Sequence, residues 1–274
     1  MKSWPRLVVC VWVLRALLGW FVALPFIALV SSSGIATLVQ GDRALFEPGG
    51  IWLAELGRVS LPALGATIGT CWPYLLVALA LRIVPDAALI QHALLPESAV
   101  RPSLRAALRA FKRLLALSAC ELALKALLLV VVFMVAGALG ESNSDTLRRL
   151  APVIATLLGA LALGAASVLA DARRALCFVE PELGFGLAPT WNIARTHALG
   201  LSASYLFRCG LAALAIACAA RLAELIDVSR PGALRVVCVL LVHQVALLSL
   251  TGLHYLWARR VAGAVLAQPP QSRL

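Results

Sequence analysis

Arg15, Lys125 and Arg208 each sit inside a long apolar run of the sequence. A cation within a bilayer is costly, so such residues are candidates for function by default. Converging on one cavity, the three would hold an anion or a lipid headgroup. All lie about eight or nine residues into their runs, roughly 12–14 Å deep at about 1.5 Å per residue. From that depth a long side chain can also reach back to the headgroups, and this reading competes with the first. Lys125 has Glu121 one turn before it, the order that favours an ion pair.

Other chemistry is sparse. His243 and Gln244 share the last apolar run and are expected to hydrogen-bond between helices. His254 shares a face with His243, yet no histidine pair on another run completes a haem or metal site, so neither cofactor nor metal is expected. No G-x-S-x-G, H-E-x-x-H or Walker A motif occurs, and Glu121 is the only carboxylate within the runs. No catalytic residue is therefore assigned. Asp171, Glu180 and Glu182 lie near Arg173 and Arg174 and read as local ion pairs.

The elements that must position these residues follow from composition. Of 274 residues, 62% are hydrophobic and 14% charged, against about 45–50% and about 25% in soluble domains. There is too little polar surface to cover a water-soluble globule, which excludes soluble enzymes and secreted disulfide modules. The chain reads as an all-α integral membrane protein. Six runs reach the roughly 20 residues that a bilayer requires: 7–30, 61–81, 116–139, 150–170, 199–219 and 236–257. They predict one six-helix domain over 1–260 and a tail over 261–274, disordered at its end. The first run is too long for a signal-peptide core and reads as a retained helix. Six of the seven cysteines lie in apolar runs, with no C-x-x-C pair, and read as small hydrophobes.

The net charge of +11 has a membrane explanation rather than a nucleic-acid one. Outside the runs, the N-terminus, 82–113, 171–198 and the C-terminus hold 14 Lys and Arg, and the intervening loops hold 7. That bias predicts both termini in the cytoplasm. Within 82–113, Arg101, Arg105 and Arg109 form a row separate from Leu104, Leu108, Phe111 and Leu115, which recur at helical spacing, and Lys112 and Arg113 follow. This predicts a basic amphipathic helix on the anionic inner leaflet, capped by Ser103, with Pro102 discouraging extension backwards. A shorter interfacial helix is expected at Thr190-Trp191, and another at 51–59 on the outer side. Small residues, Gly65 and Gly69 in one run and Ala155, Gly159, Ala162 and Ala166 in another, are expected to close helix seams.

The buried cations also mark a repeat. Lys2, Lys112 and Arg195 each precede one of them by thirteen positions. The residues that follow match: Arg15-Ala-Leu-Leu, Lys125-Ala-Leu-Leu and Arg208-Cys-Gly-Leu. Three hairpins are expected, each with an inner interfacial segment, a cation-bearing helix, an outer turn and a return helix. Arg195-Thr-His-Ala-Leu-Gly-Leu leading to Arg208, with Asp171-Ala-Arg-Arg-Ala-Leu before it, resembles uncharacterised bacterial six-helix inner-membrane proteins. These include the membrane-domain family attached to some glycerophosphodiester phosphodiesterases. The soluble phosphodiesterase domain has no counterpart here, and the resemblance implies no catalytic residue. The expectation is a non-enzymatic inner-membrane scaffold or lipid-interacting protein whose partner is the bilayer, with anionic lipids at the cytoplasmic face. Protein partners are not specified by the sequence. A transporter or lipid-handling protein, with an anionic group at Arg15, Lys125 and Arg208, is the alternative. An intramembrane enzyme comes third.

Overall fold

Long runs of Ala and Leu favour helix, and in a bilayer a helix satisfies its own backbone groups. The computed structural model describes residues 3–32, 51–140, 144–180, 187–226 and 233–268, and among these all regular structure is helical. The elements are α1 (Trp4–Ser32), α2 (Ile51–Leu94), α3 (Val100–Arg109), α4 (Phe111–Gly140), α5 (Asp145–Val179), α6 (Leu187–Thr196), α7 (Ala198–Leu225) and α8 (Ala233–Leu266). Six of them, α1, α2, α4, α5, α7 and α8, contain stretches long and apolar enough to cross a membrane. The chain has the make-up of a multi-pass membrane protein.

The helices run further than hydropathy implies. Residues 82–94 continue α2, 171–179 continue α5, and 261–266 continue α8, where the sequence predicts loops and tail. Residues 51–59 begin α2 rather than forming a separate interfacial helix. Residues 33–50, and the end of the tail at 269–274, lie outside the described part. The reason is that hydropathy ends at the first charges, whereas a helix can turn them outward. In α8, Arg259 and Arg260 are exposed while Trp257, Ala258, Val261, Ala262 and Val265 are buried.

The chain divides into two compact units, each discontinuous in sequence. The first comprises 1–4, 86–210 and 254–274; the second comprises 5–85 and 211–253. In the first, α4 and α5 pack closely, with α6 against α5 and α3 against α4. The α4 and α5 chains run in opposite directions: Ser118 and Glu121 meet Arg174, and Val132 lies beside Gly159. Ala87–Ile90, Leu114, Leu117, Ala172, Ala175–Cys177 and Val261 are buried, and the helix extensions supply most of them. The apolar middle of α4 is bare by contrast. None of its most apolar window is buried, and Phe133 is 72% exposed. A contiguous apolar surface of this kind is stable against lipid tails, not water.

In the second unit, Phe21 of α1 meets Tyr74 of α2 edge-on at 6.1 Å between centroids. Arg15 on α1 donates from Nη1 to Thr251 Oγ1 of α8 at 3.1 Å. A Cβ at Gly65 or Gly69 would meet nothing within 4 Å among the described residues.

Candidate functional site

Polar side chains in apolar helices must find partners, and the nearest is the carbonyl one turn back. Thr156, Ser167, Ser249 and Thr251 all donate to the carbonyl four residues earlier, at 2.7–2.9 Å. His243 does likewise, from Nδ1 to Val239 O at 2.8 Å. His243 is exposed and bonded within α8, and Gln244 Oε1 is buried without a partner among the described residues. A hydroxyl or imidazole one turn from a carbonyl is satisfied locally before any neighbour is reached.

Carboxylates and guanidinium groups have more to satisfy, and in the first unit they assemble into one cluster. Lys125 Nζ donates to Glu121 Oε1 at 2.5 Å. Arg174 Nη2 donates to the other Glu121 oxygen and, at 3.1 Å, to Ser118 Oγ. Its Nη1 donates to Asp171 Oδ1 at 2.8 Å. Trp257 Nε1 then donates to Asp171 Oδ2, also at 2.8 Å. Asp86 on α2 is a further carboxylate in electrostatic range of Arg174. The Glu121 and Arg174 side chains are 12% and 17% exposed, so this is a shielded pair rather than a surface one.

The chain of contacts continues through rings. Tyr205 on α7 meets Trp257 edge-on at 5.3 Å, and Arg208 lies over Tyr205 with Cζ 5.9 Å from its centroid. Gly164 on α5 makes room for Tyr205, whose Cε1 would lie 3.2 Å from an added Cβ. Lys125 and Arg208 thus stand at the two ends of one sequence of contacts through α4, α5, α8 and α7. Arg15 belongs to the second unit, with Thr251 as a partner. The local Asp171–Arg174 pair is legible from i,i+3 spacing. The link to Glu121, fifty-three residues away, carries no local signal.

The basic row lies on a helix, and its inward side is made of small residues. In α3, Ser103 and Ala107 are buried; Arg101, Arg105, Arg109 and Leu108 are exposed, the last by 58%. Lys112 and Arg113 belong to α4 and are exposed as well. Ser103 is not the cap. The helix begins at Val100 after Ala99, and Pro102 fits its first turn, where backbone N–H groups have no intrahelical acceptor. Ser103 Oγ instead donates to Ala99 O at 3.2 Å and meets Ser98 Oγ at 2.9 Å. Ser98 reaches His92 Nδ1 at 3.2 Å, and Ser3 Oγ donates to Ser98 O at 2.9 Å. Tyr255 stacks between His92 and Trp4, with centroids 5.8 and 5.7 Å away. Sequence reading assigns none of these hydroxyl contacts.

Beside the ion cluster, α4, α5 and α6 enclose a cleft of about 360 Å³. Its walls are mostly apolar, with Glu121, Arg173 and Thr190 the polar exceptions. Trp191, at its edge, is 60% exposed. Among the described residues, no group of three or more His, Cys, Asp or Glu is placed to hold a metal ion. Fold and site together define, among the described residues, an all-helical protein with six membrane-length apolar helices. No family model matches the chain, and neither the curated proteins nor the solved structures contain a match.

Proposed function

We propose that the chain is a non-enzymatic scaffold or lipid-interacting protein of a bacterial inner membrane, with both termini cytoplasmic and its six spans arranged as three hairpin repeats. The likeness in pattern to bacterial six-helix inner-membrane proteins belongs to the same proposal. The observation that carries it is the outer surface of α3. Arg101, Arg105 and Arg109 are exposed beside Leu108, while Ser103 and Ala107 face inward. A helix that shows both leucine and arginine to its surroundings suits a leaflet boundary, where acyl chains meet anionic headgroups.

Spin labels at Leu108 and Arg105, in the full chain reconstituted in bilayers, test this. The label at 108 should be more accessible to oxygen than to a nickel chelate, and the label at 105 should sit at headgroup depth. Equal and high access of the chelate at both positions refutes the reading.

A second reading is a transporter or lipid-handling protein that binds an anion at Arg15, Lys125 and Arg208, and the placement of these cations within apolar helices supports it. Replacing the three by Gln should then abolish ligand binding with little change in folding. Loss of stability alone counts against it.

A further inference from the structure

We propose that the cleft between α4, α5 and α6 holds a single anionic phospholipid, its phosphate on Arg173 and one acyl chain along Leu124 and Ala166; this rests on the lipid-interacting reading above. The lining joins the polar or amphipathic side chains of Arg173, Thr190 and Trp191 to the apolar ones of Leu124, Ala166 and Leu169. On α5, Arg173 and Ala166 are seven residues apart, so the cleft extends roughly 10 Å along the helices at about 1.5 Å per residue. Its volume, about 360 Å³, lies in the range of sites that bind small ligands, roughly 300–1,000 Å³.

Charge selects the headgroup. The one carboxylate in the lining, Glu121, is already bridged by Lys125 and Arg174, which offsets its repulsion of an anion. The planar guanidinium of Arg173 has a geometry that matches phosphate oxygens. Thr190 in the lining is buried, and the indole of the adjacent Trp191 is exposed, as suits an aromatic ring at headgroup level. A small anion such as free phosphate would need only the polar side chains. The apolar ones give a reason for an acyl chain.

Native mass spectrometry of the full chain, exposed in detergent to phosphatidylglycerol or phosphatidylcholine of identical acyl chains, tests the assignment. The expected result is one retained phosphatidylglycerol per chain, with phosphatidylcholine retained at least fivefold less. Arg173→Gln should abolish that headgroup preference, and Arg173→Lys should restore part of it. Leu124→Trp, at an exposed wall position, should lower retention of both lipids at least threefold, whereas Leu161→Trp on the exposed surface of the same unit should not. Unchanged retention in Leu124→Trp, or equal loss in Leu161→Trp, overturns the proposal. A headgroup preference that survives Arg173→Gln also overturns it. If the α3 labels report a leaflet boundary while the cleft variants match the parent, the cleft assignment alone has failed. If the lipid is retained as expected but the α3 labels are aqueous, the failure lies with the leaflet reading.

Discussion

Trp257 Nε1 donates to Asp171 Oδ2 at 2.8 Å across 86 residues of sequence, and both side chains are buried. The bond holds one carboxylate oxygen while Arg174 holds the other, so Asp171 is satisfied from two helices at once. It is also the step by which the ion cluster of α4 and α5 connects to the rings of α7 and α8.

Trp257→Phe therefore keeps an aromatic ring against Tyr205 but removes the donor. An acceptor left buried without its partner costs about 1–3 kcal/mol. Thermal unfolding in mild detergent should show this loss, and adding Asp171→Asn should cost less than it does in the parent. Full additivity of the two changes means that the bond contributes nothing.

The Glu121–Arg174 pair predicts a stronger asymmetry. Removing one partner of a buried ion pair costs about 3–5 kcal/mol when the charge left behind is uncompensated, and less where it keeps a second partner. Arg174→Met leaves Glu121 with Lys125, whereas Glu121→Gln leaves Arg174 with Asp171. Each single change should destabilise the protein. The double change should cost less than the sum by about 1–3 kcal/mol, the coupling found for residues in one network. Independent effects would mean that the two helices are not coupled through this pair.

Three glycines should respond differently to alanine. Glycine in a helix costs about 1 kcal/mol relative to alanine. Gly69→Ala opens onto empty space and should leave stability unchanged or raise it by up to that amount. Gly159→Ala would place its Cβ 3.7 Å from Val132, an ordinary contact, and should be tolerated. Gly164→Ala would crowd Tyr205 at 3.2 Å, so the gain should vanish or reverse. Melting midpoints compared across the three check the order. A stabilising Gly164→Ala would show that Tyr205 is not held where it stands.

The inner face of α3 is tested by neighbouring substitutions. Ala107→Asp places a charge at a fully buried position and should lower the yield of folded protein sharply. Leu108→Asp lies on the exposed side and should leave folding intact while raising the nickel-chelate accessibility of a label at Arg105. Size-exclusion profiles separate the two effects. Equal misfolding by both variants would contradict the assigned face.

Much of the architecture was legible in the chain because hydropathy is a local property. Six runs of roughly bilayer length sufficed to predict the six membrane-length helices, and the Arg101, Arg105, Arg109 row sufficed to predict α3. Which side of α3 packs against the protein was not legible, for a physical reason. In a membrane protein an apolar stripe can face lipid, so Leu108 points outward while the small residues Ser103 and Ala107 pack inward. The glycines of α2 illustrate the same ambiguity, since small residues suit a seam but do not create one.

By itself, the sequence determined the material: apolar helices for a bilayer, cations placed within them, and Glu121 one turn from Lys125. Those features depend on residues a turn or two apart, whose relation a helix settles alone. Only the tertiary structure decided that Arg174 reaches Glu121, that Trp257 completes Asp171, and that the helix extensions contribute so much of the first unit's core. Each of these joins side chains on different helices, and pairing at such separations depends on how the helices pack.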